Sequence, residues 1–263
     1  MSDIPPAVVA VLAGLLGLVI GSFLNVVVHR VPRGESVVSP PSACPRCSNP
    51  IRTRHNVPVL GWLILRGRCY DCDSPISARY PVVEAGTGAL FALAGWRFAE
   101  EPLALSAYLT FAATAVTLAL IDLDVHRLPN GIVGPAYPVL AVLLALGADG
   151  DGESLVRAVW GAGLLFAFFL LVALVAPGAM GFGDVKLAGV VGGMTAFLSW
   201  GAFLTAAFGA FLLGAVVGVA LMAGGRAGRR TAVPFGPFML VAAWASILGA
   251  SGLGEFYLVR IGL

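Results

Sequence analysis

The sequence predicts an all-α polytopic membrane protein with about eight transmembrane helices and a small four-cysteine module in its first cytoplasmic loop. Three observations predict it. Hydrophobic residues make up 59% of the 263 and charged residues 11%, at a mean hydropathy of +0.92, whereas a soluble domain carries about 25% charged residues. Apolar runs recur along most of the chain, separated by short polar breaks. All four cysteines crowd into one polar stretch, 29–80, together with eight of the sixteen Lys and Arg and seven prolines. The net charge of +2 offers no electrostatic footprint for nucleic acid.

The first apolar run, about 7–28, is roughly 20 residues long, enough to cross a bilayer. It lacks the basic leading segment of a cleavable signal, so it is expected to remain as the first helix. From residue 81 onward the apolar runs predict helices near 82–99, 103–121, 131–148, 155–176, 185–199, 201–223 and 234–253. The expected organisation is thus a first helix (1–28), a cytoplasmic metal-binding module (29–80) and a seven-helix membrane domain (81–263). Richness in Ala, Gly and Leu suits membrane helices, whose small residues let backbones approach.

Positive charge orients the chain. The cysteine-bearing loop holds eight arginines and a later break reads Gly224-Gly-Arg-Ala-Gly-Arg-Arg230, so both are expected in the cytoplasm. If the helices alternate, Glu100-Glu101 and Asp149-Gly-Asp151-Gly-Glu153 fall outside. Asp122 and Gly181-Phe-Gly-Asp184 then share the cytoplasmic face.

Those two aspartates are the candidate catalytic residues. A carboxylate beside hydrocarbon is costly and is rarely kept there without a task. Two carboxyls sharing one proton suit peptide hydrolysis, since one activates water while the other donates to the substrate carbonyl. Gly181 and Gly183 allow a substrate backbone to come close to Asp184, and Lys186 can temper the local negative charge. A helix N-cap is the plainer reading of Asp184. It suits Asp122 less well, because Asp122 follows an apolar run and sits at the helix end that the macrodipole disfavours for an anion. Asp124 reads as a solvated neighbour and His126 as a solvated histidine beside Arg127.

Cys44-Pro-Arg-Cys47 and Cys69-Tyr-Asp-Cys72 are separated by 21 residues. Paired Cys-x-x-Cys knuckles at this distance match a four-thiolate zinc site. Two disulfides are the alternative, and a cytoplasmic loop argues against them. A site closed by four sulfurs has no open position for water, so the zinc is expected to be structural. Glu84, at the start of the second predicted helix, is either an acid favoured by the helix dipole or a cofactor-binding residue. Asn25, Arg30 and Arg33 read as membrane-interface anchors, and Pro234-Phe-Gly-Pro237 either as plain punctuation opening the last helix or as a stiff turn at the membrane face that lines the site.

Taken in order, these motifs resemble the bacterial type IV prepilin peptidases. The resemblance runs nearly end to end, through Gly21-Ser-Phe-Leu-Asn25 with Arg30-Val-Pro32, the cysteine pairs, Asn56-Val-Pro58 and Leu65-Arg-Gly-Arg-Cys69. It continues through Tyr80-Pro81 with Glu84, Ile121-Asp-Leu-Asp124 with Leu128-Pro129, Gly181-Phe-Gly-Asp184-Val-Lys186-Leu187 and Pro234-Phe-Gly-Pro237. It implies an aspartic endopeptidase of the Gly-x-Gly-Asp class with Asp122 and Asp184 as catalytic acids. The implied substrates are precursors of type IV pilins or of type II secretion pseudopilins, cut at the cytoplasmic face of the bacterial inner membrane. It further implies N-methylation of the new N-terminal residue from S-adenosylmethionine. No glycine-rich cofactor fingerprint after a strand is present, so that second activity rests on the resemblance alone. A peptidase without methyltransferase activity is the alternative within the family. Outside it the rivals are a carboxylate-dependent transporter, which wants its acids near mid-membrane, and a zinc-dependent enzyme, which wants a histidine or an open ligand position.

Overall fold

The computed structural model describes residues 4–176, 180–225 and 233–260. Arg226, Arg229 and Arg230, the charges of the second orientation signal, lie outside the described residues. Among the described residues there is no strand, only the isolated bridges Ala43–Pro50 and Arg68–Pro75. The helices are α1 (Pro6–Arg30), α2 (Leu60–Ile64), α3 (Arg79–Arg97), α4 (Pro102–Val125), α5 (Asn130–Gly147), α6 (Gly152–Val175), α7 (Phe182–Leu198), α8 (Trp200–Ala223), α9 (Gly236–Ala245) and α10 (Ser251–Arg260).

Each of the eight predicted helices is present, with two differences. The last predicted helix is two, α9 and α10, joined by a wide turn at Ser246–Ala250 in which Gly249 takes φ 144°. Only six helical stretches among the described residues are long and apolar enough to cross a membrane by length and composition. α3 carries Arg79, Glu84 and Arg97 within 19 residues. α7 has only 17 residues, eleven of them buried, so protein rather than lipid surrounds most of it. The exposed faces of the longer helices are apolar instead: Leu12, Leu15, Leu16 and Val19 on α1, Leu164, Phe168 and Leu171 on α6, Leu212, Val216 and Val219 on α8. A water-soluble protein does not present such stripes, and a bilayer covers them. The chain is a multi-pass membrane protein.

The chain forms two compact units, divided between Thr117 and Leu118. In the first, α1 and α3 run antiparallel in close contact. A Cβ on Gly17 would crowd the Phe91 Cβ at 2.6 Å, and one on Gly21 would stand 2.9 Å from the Glu84 backbone. Phe98 and Tyr108, both fully buried, stack at 4.2 Å.

In the second unit α7 is the central helix. Gly161 of α6 and Gly192 of α7 face each other so closely that a Cβ on either would overlap the other's carbonyl. Helix starts and stops here are set by polar side chains. Asp151 accepts hydrogen bonds from the N–H groups of Glu153 and Ser154 at the start of α6. Ser199 alone separates α7 from α8, and its hydroxyl accepts from the Ala202 N–H. The last carbonyls of α7 (Ala196, Phe197 and Leu198) receive hydrogen bonds from the Arg157 guanidinium, at 2.6, 2.7 and 3.2 Å. A cation there satisfies orphan acceptors and the helix dipole together.

Candidate active site

Asp122 lies in the last turn of α4, 5% exposed. Its carbonyl accepts the His126 N–H at 2.9 Å, and His126 then turns left-handed at φ 53°, which stops the helix. Arg127-Leu-Pro129 leads from there into α5, where Pro129 at φ −63° and ψ 127° is the extended residue before the first turn. Leu128 packs onto the opening of α7: a Cβ on Gly183 would meet the Leu128 side chain at 3.0 Å. The Ile121-Asp-Leu-Asp motif and the Gly-Phe-Gly-Asp motif are joined through that contact.

Asp184 is the third residue of α7, half-buried, and its N–H donates to the Gly181 carbonyl at 3.0 Å. The two aspartates stand near enough for the charge of Asp122 to act on Asp184. A third element reaches the pair. The Asp122 Oδ2 accepts the N–H of Gly236, the first residue of α9, at 3.2 Å.

α5 grips the first turns of α7 from another side. The Tyr137 hydroxyl donates to the Lys186 carbonyl at 2.6 Å, in space left by Gly189. Lys186 donates to the Asn130 Oδ1 at 2.8 Å and lies 4.7 Å from the centre of the Phe182 ring. Lys186 is therefore tied to α5, not to either carboxylate.

The cysteine centre belongs to the first unit. Both knuckles have one backbone design. The first cysteine of each donates to the carbonyl five residues on (Cys44 to Asn49, 3.0 Å; Cys69 to Ser74, 2.8 Å) and accepts from the N–H four residues on (Ser48, 2.8 Å; Asp73, 3.0 Å). Ser48 and Asp73 are left-handed at φ 59° and 54°, which turns the chain back so that both cysteines of a pair point one way. The four sulfurs all lie within 4.8 Å of one another, with Cys44–Cys72 at 3.8 Å and Cys47–Cys69 at 4.0 Å. Four thiolates around a tetrahedral ion at about 2.3 Å stand about 3.8 Å apart. All four cysteines are free thiols, so the disulfide alternative is not what the fold shows.

The Ser74 hydroxyl contacts the sulfurs of Cys44 and Cys72, at 3.5 and 3.2 Å. It is the main cause of a lowered pKa at both, to about 6 at Cys44. Cys47 is pushed up to about 12: the Asn49 backbone lowers it, but burial and the three neighbouring sulfurs raise it more. Sulfurs packed this closely do not ionise together unless a cation is among them.

Glu84 sits in α3, 8% exposed, and its Oε2 accepts the Val59 N–H at 2.6 Å. Val59 is a β-branched residue at φ 59°, the centre of a γ-turn closed by Leu60 N–H to the Pro58 carbonyl at 2.6 Å. Glu84 therefore holds a strained turn of the cysteine module. Asn25 donates to the Tyr80 carbonyl, and Arg30 to the carbonyls of Ser36 and Pro40. These residues fasten the module to α1 and α3.

Comparison with known proteins places the chain. The bacterial peptidase A24 N-terminal domain matches residues 15–98, and the type IV leader peptidase family matches residues 109–219. The chain belongs to the type IV leader peptidase family. Among curated relatives named prepilin leader peptidase/N-methyltransferase, the one from Myxococcus xanthus is 41% identical over 84% of this chain and 66% of its own length. That from Stutzerimonas stutzeri is 31% identical over 96% and 95%, and that from Pseudomonas aeruginosa 34% over 93% and 91%. No solved structure matches.

The sequence left open that Pro234-Phe-Gly-Pro237 lines the site, but neither the Gly236 contact to Asp122, 114 positions away, nor the Tyr137 clamp, across 49, is announced by a local pattern. The knuckle repeat was in plain view: Cys44-Pro-Arg-Cys-Ser-Asn-Pro-Ile51 and Cys69-Tyr-Asp-Cys-Asp-Ser-Pro-Ile76 share Cys-x-x-Cys-x-x-Pro-Ile.

Proposed function

We propose that this protein cleaves the leader of type IV prepilins or type II secretion pseudopilins, with Asp122 and Asp184 as its catalytic pair, and then methylates the new N-terminus from S-adenosylmethionine. The observation that carries this reading is the packing of the two aspartate-bearing segments on each other within one unit, through Leu128 on Gly183. The aspartates sit in the last turn of one helix and the first turn of another. The loop-side position suits a substrate whose polar leader stays in the aqueous phase while its apolar helix lies in lipid. The arginine excess of the cysteine module supports reading that phase as the cytoplasmic side of the bacterial inner membrane.

Hydrolysis needs one carboxylate and one carboxylic acid. Water adds to the scissile carbonyl carbon as one aspartate takes its proton and the other protonates the carbonyl oxygen. The first then protonates the amide nitrogen while the second recovers a proton from the diol, and the C–N bond breaks. Both acids return to their starting states.

Cys44, Cys47, Cys69 and Cys72 hold a structural Zn2+, for which the sulfur spacing is suited. The role of Glu84 is a contact to the methyl donor through Oε1, its Oε2 being engaged by Val59.

The test is the purified protein in detergent with a prepilin, with and without S-adenosylmethionine, read by mass spectrometry of the mature N-terminus. Asp122→Asn and Asp184→Asn are expected to lose cleavage by about 10³-fold or more while unfolding at the wild-type temperature. Wild-type cleavage by either variant overturns the pair, and an unmethylated product made in the presence of the donor leaves a peptidase alone.

A further inference from the structure

The last helix begins at Asp122. Phe235 is the residue before α9, Gly236 its first residue, and Pro237 its second. The first N–H of a helix has no partner inside the helix, and here it goes to the Asp122 Oδ2 at 3.2 Å in a buried setting. A Cβ on Gly236 would stand 2.8 Å from that oxygen, so any larger residue displaces the carboxylate. The Phe235 ring anchors the turn among Phe169, Phe211 and Phe238, at 5.2 to 6.3 Å.

We infer that Gly236 is a positioning residue, whose N–H fixes Asp122 as the carboxylate that takes the proton from water and so leaves Asp184 to act as the acid. This rests on the proposed catalytic pair and adds a division of labour to it. An unpaired N–H at the start of α9 has one acceptor within reach among the described residues, and it pins that carboxylate oxygen in a fixed position. With Oδ2 held by that N–H, Oδ1 is the oxygen left to take a proton from water. The charged and titratable groups facing Asp122 are Asp184 from α7 and His126 from its own helix end, while the α9 segment Gly236–Ala245 contributes none. Gly236 is thus the fixed donor from that helix, and its effect on Asp122 is one of placement.

The prediction separates chemistry from binding. In Gly236→Ala, kcat for prepilin cleavage should fall by about 10²-fold, with KM within about twofold of wild type. Affinity for a substrate peptide with a secondary alcohol in place of the scissile amide should weaken by a factor similar to the loss in kcat, because that group imitates the tetrahedral state. Gly209→Ala tests for a merely structural effect. Its Cβ would press on Ala242 of α9 at 3.1 Å without approaching Asp122, and it should keep kcat and alcohol affinity near wild type. Gly236→Ala with unchanged kcat, or a Gly209→Ala that loses kcat and alcohol affinity as much as Gly236→Ala does, overturns the inference. Measuring Asp122→Asn and Asp184→Asn alongside keeps the two levels apart. If both are inactive while Gly236→Ala is normal, only the positioning role fails, and if either is active the catalytic pair itself fails.

Discussion

Between His29 and Tyr80 the chain is organised by tight turns and four sulfurs, whereas from Leu118 onward it is organised by helices whose backbones touch. The module has few apolar side chains to bury. Val38, Ile51, Leu60, Leu63 and Ile64 are all exposed, and its regular structure amounts to one short helix, two single turns and two isolated bridges. Its geometry comes from paired knuckles, from the Arg52–Asp71 ion pair at 2.9 Å and from Trp62 donating to the Ile76 carbonyl at 3.0 Å. The helical unit holds α7 by shape, with Gly161 and Gly192 in mutual contact and Arg157 closing its C-terminal end. A segment that cannot bury enough surface relies on a cross-link or an ion. A segment rich in Gly and Ala relies on fit, which matters most where lipid removes the hydrophobic incentive for helices to associate.

Four changes break or sharpen that contrast. Cys69→Ser should have the largest effect, because a structural zinc site contributes on the order of 10 kcal/mol to folding its module. Metal analysis should fall from about one zinc per chain to well below it, and proteolysis should open the 44–76 segment. Unfolding of the helical unit should be unchanged. Gly192→Leu should do the reverse. It forces a side chain into the Gly161 backbone, costs about 3 kcal/mol or more in helix packing and lowers the unfolding temperature, while zinc content stays at one. If either change damages both regions equally, the two are not held independently.

Arg157→Met comes next. It keeps the bulk of the side chain and removes three charged hydrogen bonds from the end of α7, at a cost of about 2 kcal/mol seen in thermal unfolding. Asp151→Ala should have the smallest effect, and it carries a pH signature. The Ser154 N–H, with that of Glu153, holds the Asp151 carboxyl below the usual carboxylate range. The folded state therefore favours the ionised form. The stabilisation is full above about pH 4 and is lost as pH falls through the lowered value. The variant should melt earlier than wild type at neutral pH, and the gap should close on acidification.

Much of this protein could be seen in its residue order. Composition and the spacing of apolar runs determine a helical membrane protein, because only closed hydrogen-bonding structures survive in lipid. Cys-x-x-Cys spacing determines the sulfur cluster, because a knuckle is a local turn that needs no help from distant residues. The two aspartates stand out because charge beside hydrocarbon is rare. Tertiary structure decided the rest. α7 is enclosed by other helices, the Glu84 Oε2 is taken up by Val59, and Asp122 meets an N–H from 114 residues away. Hydrophobic pattern records which face of a helix is apolar, but not which neighbour fills a glycine gap or which oxygen receives a helix's first N–H. Those depend on packing at ångström scale, and only the folded chain specifies it.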